Sequence, residues 1–161
     1  MSDCAITLSI DNAPDLSLIN PVVEQCVATW DLPDRVKRLV APSYRYTEAD
    51  VDHLTFATAL VQGSRKLAGV AAWETADDAD LVPKQSGLLL HGLYVAPHYQ
   101  RCGIGSRLVE CCAQAARQAG VQGILVKAQR DAEAFFERLG FSALPVVDER
   151  HDYAHRWWKS V

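Results

Sequence analysis

The chain has 161 residues and a formal net charge of −4, with 49% hydrophobic and 22% charged residues. This composition excludes a disordered chain and predicts a single domain over residues 1–161. The negative charge argues against nucleic acid as a partner, because binding a phosphate backbone needs a basic face. No apolar run approaches the roughly 20 residues that cross a bilayer, so we expect no membrane partner.

The cysteines indicate a reducing compartment. There are five, no two of them form a C-x-x-C pair, and no secretory apolar segment opens the chain. An odd number of unpaired thiols without an export signal favours a cytoplasmic protein.

The first half of the chain predicts one strand, two helices and a hairpin. Pro21 falls within the first helical pattern and predicts a break or kink there. Residues 63–65, Gly-Ser-Arg, separate two apolar runs as a hairpin turn does. The expected elements are a strand at 5–10, helices at 14–30 and 31–40, a loop at 41–52, strands at 53–62 and 66–75, and a polar turn at 76–87.

The second half predicts a strand–helix–strand unit followed by a short helix and two strands. Residues 88–95 are almost continuously apolar, which is typical of a strand covered on both faces. A helix follows the glycine-rich segment and ends at Gly120. The remaining elements are strands at 123–129, 141–149 and 153–161 and a helix at 132–140. This order predicts a mixed α/β fold around one sheet.

The segment HYQRCGIGSRLVE, residues 98–110, has the features of an anion site. It joins the most apolar strand to a helix, whose first N–H groups lack intrahelical partners and carry partial positive charge. Arg101 and Arg107 add side-chain charge. The segment is neither a Walker A loop nor a Rossmann fingerprint. From the residues alone it could equally be a tight turn, or bind another phosphate ligand such as a nucleotide.

Three stretches resemble the GCN5-related N-acetyltransferase (GNAT) superfamily. QRCGIG (100–105) is similar to its Gln/Arg-x-x-Gly-x-Gly/Ala motif, LYVAPHYQ (93–100) to its fourth strand, and QRDAEAFFERLGF (129–141) to its later helix and strand. The resemblance implies a single mixed, mostly antiparallel sheet with flanking helices and splayed fourth and fifth strands. It also implies an acetyl-CoA-dependent transfer of an acetyl group to a primary amine by direct attack on the thioester.

The resemblance further implies a set of cofactor-binding residues. Backbone groups near Leu93, Tyr94 and Val95 would face the pantetheine arm, and Gln129 stands where the family often has Asn. Phe136 occupies the place where many members have a Tyr that protonates the departing sulfur. The pyrophosphate would lie on Gln100, Arg101, Cys102, Gly103, Ile104, Gly105 and Ser106. Gly92, a glycine inside a strand, suggests a bulge or a close backbone approach.

Two residues are candidates for the general base. His91 is the one imidazole in the apolar strand, and serotonin N-acetyltransferase-like members place a catalytic histidine there. Glu74, at the end of the third strand, is the substitute. Each also has a plainer interpretation, as a structural histidine and as a solvated carboxylate. For the general acid we expect either an unassisted thiolate or one of Tyr94, Tyr99 and Tyr153.

The acceptor is expected to be a small-molecule or peptide amine. In this family its site is walled by segments that correspond here to 28–46 and 145–153. Aromatic rings with carboxylates suit an organic cation; these segments offer Trp30, Asp31, Asp34, Tyr44, Tyr46, Asp148, Glu149, His151 and Asp152.

Several alternatives stay open at this stage. The missing Tyr leaves a non-catalytic acyl-CoA sensor or interaction module as the second interpretation. Cys102 could in principle carry an acyl group, although it is expected to face the phosphates. His151 and His155 have no third ligand nearby, so no metal is expected. The sequence leaves open whether the chain forms a homodimer.

Overall fold

The computed structural model describes residues 5–11, 13–150 and 154–161. Helices and strands alternate largely as the hydrophobic pattern predicted. The helices are α1 (Leu16–Ala28), α2 (Asp34–Tyr44), α3 (Glu48–Val51), α4 (Ile104–Ala119) and α5 (Glu133–Arg138). The strands are β1 (Ile6–Asp11), β2 (Thr55–Val61), β3 (Leu67–Thr75), β4 (Gly87–Val95), β5 (Gly123–Lys127), β6 (Ser142–Ala143) and β7 (Arg156–Ser160).

The strands form one open mixed sheet in the order β1-β2-β3-β4-β5-β7-β6. β1 pairs antiparallel with β2, and β7 pairs antiparallel with both β5 and β6. β4 and β5 pair in parallel, as a strand–helix–strand crossover requires. The predicted mixed sheet with flanking helices is therefore confirmed.

The parallel pairing of β4 with β5 covers only part of β4. It runs from Gly87 opposite Gly123 to Leu90 opposite Val126. β4 itself continues to Val95. The register thus follows the prediction that these strands pair at their beginnings and part towards their carboxyl ends.

The chain divides into two compact units. One comprises the residues up to Ala72 together with Gly92–Val109, and the other comprises Trp73–His91 together with Glu110–Val161. The first has a core of α1 residues such as Ile19 and Val23 packed with Phe56 and Val70. The second has a smaller cluster of Ala76, Leu81, Leu125 and Trp158. That the chain acts as a single domain stays a prediction.

α1 runs through Pro21 without the predicted break. Asp15 caps its start by accepting hydrogen bonds from the Ser17 N–H and hydroxyl. Proline removes one backbone bond near this end, while the inner face of the helix is buried. Asn20 also fixes the helix, because its side chain donates to the Tyr46 carbonyl (3.0 Å) and accepts from the Tyr46 N–H (2.9 Å). The buried residues of α1 are Ile19, Asn20, Val22, Val23, Cys26 and Val27.

Other element boundaries also differ from the prediction. α2 continues to Tyr44 through Pro42, and α3 follows it, so the predicted loop at 41–52 is largely helical. β6 is only two residues long, where a strand over 141–149 was expected. Within the three described stretches of chain, no helix is both long and apolar enough to cross a membrane.

Candidate active site

The glycine loop leaves β4 through a short 3-10 turn, Pro97–Tyr99, and enters α4 at Ile104. Two of its residues have left-handed backbones, Arg101 with φ of 63° and Gly103 with φ of 77°. A left-handed conformation is uncommon for a residue other than glycine. These left-handed residues turn the backbone just before α4, whose first N–H groups lack intrahelical partners. N–H groups at the start of a helix are suited to a phosphate group.

The charge around the loop is also suited to an anion. The side chains of Arg101 and Arg107 are exposed, as is that of Cys102, whose Sγ lies 3.7 Å from the Gln100 carbonyl oxygen. The first intrahelical bond joins the Arg107 N–H to the Gly103 carbonyl (3.1 Å). The N–H groups before it belong to the first helical turn, where the helix dipole adds partial positive charge.

The carbonyl of Val95 at the end of β4 accepts two side-chain hydrogen bonds. Gln100 Nε2 and Cys26 Sγ each donate to it at 3.1 Å. The Gln100 side chain therefore folds back onto the strand. Burial raises the pKa of the Cys26 thiol to about 11, so this group stays protonated at neutral pH.

Gly92 lies under an aromatic side chain. A Cβ at this position would overlap the Tyr46 hydroxyl and lie 2.9 Å from Tyr94 Cε2. Tyr46 is 5% exposed, and burial raises its pKa well above the usual range for tyrosine. The predicted close approach to the β4 backbone is thus made by a tyrosine of the chain itself. Burial also raises the pKa of Tyr94, to about 12.

Both candidate bases line one open cavity of about 680 Å³. His91 is exposed and directly follows Leu90, the last β4 residue paired with β5, while Glu74 is half-buried near the end of β3. Lys127 follows the partner of Leu90 on β5. The cavity therefore opens where the parallel pairing ends. Its lining residues are Glu74, Thr75, Asp77, Asp80, Leu89, Leu90, His91 and Lys127.

The acidic side of the cavity comes from a short 3-10 turn, Asp78–Asp80. Asp77 begins this turn and its side chain accepts from the Ala79 N–H (3.1 Å). Asp80 Oδ2 forms an ion pair with Lys127 Nζ at 2.9 Å. A carboxylate-bearing wall beside an imidazole is suited to bind an amine and remove a proton from it.

The sequence profile described as Acetyltransferase (GNAT) family matches residues 25–141 of the chain. The match spans the hairpin, the strand bearing His91, the glycine loop and α5. The chain belongs to the GNAT family. The resemblance noted in the sequence is therefore confirmed. A search of curated proteins gave no significant match.

Solved structures show the same fold over nearly the whole chain. PaiA N-acetyltransferase from Thermoplasma acidophilum, in complex with coenzyme A, has 14% identity and a TM-score of 0.72 and covers 96% of this chain and 99% of its own. A GCN5-related N-acetyltransferase from Rhodopseudomonas palustris has 18% identity, a TM-score of 0.72, and coverages of 98% and 96%. A GNAT family acetyltransferase from Brucella melitensis, in complex with acetyl-CoA, has 16% identity and a TM-score of 0.62, and the alignment covers 96% of this chain and 88% of that one.

Two predicted cofactor residues of this GNAT chain lie away from the cavity lining. Gln129 is exposed and its carbonyl accepts from the Ala132 N–H (2.9 Å), which closes a 3-10 turn before α5. Phe136 is 4% exposed and makes edge-on ring contacts with Phe135 and Phe141, at 5.1 and 5.2 Å between centroids. Its ring therefore packs among neighbouring aromatic side chains.

The predicted acceptor residues are distributed over several surfaces. Trp30 and Tyr44 form an edge-on pair with centroids 4.8 Å apart, and Tyr46 is buried against Phe56. Asp31, Asp34, Asp148 and Glu149 are exposed. His151, Asp152 and Tyr153 lie outside the described residues.

His155, one of the two histidines considered as metal ligands, pairs with a carboxylate. His155 Nδ1 lies 2.5 Å from Glu133 Oε1, at the first turn of α5. Among residues 5–11, 13–150 and 154–161, no three His, Cys, Asp or Glu side chains are grouped to hold a metal ion.

The sequence did not predict that Asp77 and Asp80 form an acidic side of the cavity, or that Asp80 pairs with Lys127. Asp77 and Asp80 fall in a stretch that the sequence predicted only as a polar turn, and Lys127 ends an apolar strand. The one local signal was the density of acidic residues in ETADDAD, residues 74–80. Nothing in that pattern pairs it with Lys127, because the contact depends on the order of strands in the sheet.

Proposed function

We propose that the protein is an acetyl-CoA-dependent N-acetyltransferase, folded as one domain over residues 1–161, that acetylates a primary amine of a small molecule or peptide. The observation that carries this proposal is the placement of His91 and Glu74 on one cavity at the end of the β4–β5 pairing. Family membership supplies the reaction class, and the cavity supplies groups that can do the proton transfer.

The glycine loop supports acetyl-CoA as the cosubstrate. Relatives of the same fold were crystallised with coenzyme A or acetyl-CoA. The left-handed Arg101 and Gly103, the start of α4 and two exposed arginines are suited to a pyrophosphate. We assign this role to Gln100, Arg101, Cys102, Gly103, Ile104, Gly105 and Ser106, with Gln100 also holding the end of β4 through Val95.

The pantetheine arm is assigned to the part of β4 beyond its pairing with β5, at Leu93, Tyr94 and Val95. The Val95 carbonyl already accepts two hydrogen bonds from the chain, so it is satisfied before any ligand binds. Both acceptor sites of this carbonyl are then used, so the pantetheine would pair with the other backbone groups of Leu93, Tyr94 and Val95. Gln129 and Phe136 complete the assignment that follows from the family resemblance.

The chemistry requires a base, a site for negative charge and an exit for the thiolate. His91 takes a proton from the acceptor ammonium, directly or with Glu74 in its place. The amine nitrogen then forms a bond to the acetyl carbon while the carbon–sulfur bond breaks, and the nitrogen loses its second proton to the departing sulfur or to solvent. Backbone N–H groups of β4 stabilise the charge that develops on the thioester oxygen.

The thiolate leaves with or without a proton donor. A free thiol has a pKa of about 8.5, so departure as thiolate is tolerable. Tyr94 and Tyr99 are the candidate donors among the described residues; burial raises the pKa of Tyr94 to about 12, which makes it a weaker acid than a free tyrosine. Tyr99 is half-buried beside the glycine loop.

The test begins with binding and continues with turnover. Thermal shift with acetyl-CoA, coenzyme A, ATP and NAD identifies the ligand, since a ligand at 100 times its Kd stabilises by about 2.7 kcal/mol. Release of free thiol is then followed with spermidine, tyramine and a lysine-containing hexapeptide. We expect stabilisation by acetyl-CoA and coenzyme A, and thiol release with at least one amine.

Each negative result has a distinct meaning. A shift with ATP or NAD but not with coenzyme A contradicts the cosubstrate. A coenzyme A shift without thiol release, over a wider amine panel, contradicts the enzyme assignment and favours an acyl-CoA sensor.

A further inference from the structure

Arg156 is a buried cation beside a second cation. It begins β7, is 6% exposed, and stands directly opposite Lys127 of β5 in the antiparallel register. Like charges directly opposite each other on neighbouring strands destabilise a sheet. A buried guanidinium also loses hydration, which must be offset by hydrogen bonds. The pair therefore calls for a partner that accepts hydrogen bonds from both side chains.

Asp80 is that partner. Arg156 Nη1 donates to the Asp80 carbonyl oxygen at 2.8 Å, and Lys127 Nζ pairs with the Asp80 carboxylate at 2.9 Å. One residue is thus held at its backbone by one cation and at its side chain by the other. Asp80 lines the cavity that contains His91, and Lys127 lines it as well.

Arg156 also holds a second segment. Its Nη2 donates to the Pro145 carbonyl oxygen at 3.3 Å, and its own carbonyl accepts from the Leu144 N–H at 2.8 Å. Pro145 begins the segment 145–153 that the sequence predicted as a wall of the acceptor site. A single planar guanidinium therefore ties together the turn that carries Asp77 and Asp80 and the start of that segment.

We propose that Arg156 is a positioning residue for the amine acceptor: through the Asp80 carbonyl it fixes the acidic turn that lines the cavity, and through the Pro145 carbonyl it holds the segment that follows β6. This inference rests on the proposed function. Arg156 acts through the residues it holds, and the two side-chain hydrogen bonds described above go to backbone carbonyls. Its loss should therefore alter the binding of the amine and leave the binding of acetyl-CoA unchanged.

The experiment compares Arg156→Gln and Arg156→Lys with Lys159→Gln as the matched control. Lys159 lies on the same strand, but its ammonium lies 6.0 Å from the Phe141 ring centroid and outside the cavity lining. Three quantities are measured in the intact protein: kcat and KM for the amine that turns over, the Kd of acetyl-CoA, and hydrogen exchange of the amides of residues 78–82.

We expect Arg156→Gln to raise KM for the amine and lower kcat/KM by about 10- to 100-fold, the loss that misplacement by about 1 Å can cause. Acetyl-CoA should bind with an unchanged Kd, and the Asp80 and Leu81 amides should exchange faster. Arg156→Lys, which restores one donor but cannot reach both carbonyls, should recover part of the KM change. Lys159→Gln should resemble the wild type in all three measurements.

Two results would overturn the inference. One is an Arg156→Gln variant with wild-type KM for the amine or unchanged exchange at 78–82. The other is a parallel loss of acetyl-CoA affinity, which indicates a general structural role. If the wild-type protein turns over no amine while Arg156→Gln still speeds exchange at 78–82, the proposed function is contradicted and the fixing of this wall by Arg156 is supported.

Discussion

The hydroxyl of Tyr46 occupies the space in which a side chain at Gly92 would begin. The glycine is therefore required by a neighbour within the fold, and the tyrosine covers the β4 backbone beside it. Gly92→Ala should destabilise the protein by about 1–3 kcal/mol, as overpacking of a core does. Urea unfolding provides the measurement.

The cause of that loss can be tested by removing the hydroxyl. In the Tyr46→Phe background the new Cβ would meet Cζ at 3.5 Å, which is an ordinary contact, although Tyr94 Cε2 stays at 2.9 Å. Part of the stability should therefore return in the double variant, with a coupling of about 0.5–3 kcal/mol. Additive effects of the two substitutions would show that the overlap is not the cause.

A pair of glycines separates backbone strain from ligand binding in the loop. Gly103 and Gly63 have φ of 77° and 76°, and a Cβ at either meets no atom within 4 Å. Alanine at each position should cost the same, about 1–2 kcal/mol for a left-handed residue. Only Gly103→Ala should weaken coenzyme A binding, measured by calorimetric titration. Equal coenzyme A affinities in the two variants would show that this loop does not bind the phosphate.

Loss of the imidazole should remove most of the catalysis. His91→Ala should lower kcat/KM by about 10²- to 10⁴-fold, the usual contribution of a general base, with an unchanged Kd for acetyl-CoA. His53→Ala, an exposed histidine just after α3, is the control. Near-normal turnover by His91→Ala, together with loss of turnover in Glu74→Gln, would show that Glu74 is the general base.

Buried thiols should make the protein sensitive to alkali. Burial raises the pKa of Cys26 to about 11 and that of Cys112 to about 12, from 9 for the free groups. The folded state therefore holds these protons more tightly than the unfolded state. The contribution of these two thiols to the free energy of unfolding should be constant below pH 9 and fall between pH 9 and about 11 for Cys26, or about 12 for Cys112, by up to about 1.4 kcal/mol per pH unit for each group.

A serine at position 26 is the matched variant for this pH dependence. Cys26→Ser keeps a donor for the Val95 carbonyl but does not titrate in this range. Its unfolding free energy should fall less steeply above pH 9 than that of the wild type, in urea titrations under reducing conditions. Identical slopes would show that Cys26 does not contribute.

The stretch from β4 to α5 was predictable because its signals are local. An apolar run, two glycines, a helical face ending at Gly120 and the AEAFFERLG pattern each specify their own element. The same signals placed His91 on a strand and Arg101 at the start of a helix. Resemblance to a family then gave these residues roles that spacing alone leaves open.

Features that depend on distant residues could not be predicted in this way. Pro21 predicts a break or kink, yet α1 continues through it, because the burial of its inner face outweighs one lost hydrogen bond. Arg156 meets Asp80, 76 positions earlier, only because β7 pairs with β5. No hydrophobic pattern within either segment predicts that pairing.

The paired hydrogen bonds of Asn20 with Tyr46 join two distant positions of the chain. One side-chain amide satisfies both backbone groups of a residue 26 positions away, as a neighbouring strand would do. The two hydrogen bonds therefore join the ends of the intervening stretch of chain, which contains α2 and the Trp30–Tyr44 pair. Within this stretch α1 supplies buried core residues whereas α2 has none, so segments of other length or chemistry could replace residues 29–45 while the buried residues of α1 are kept.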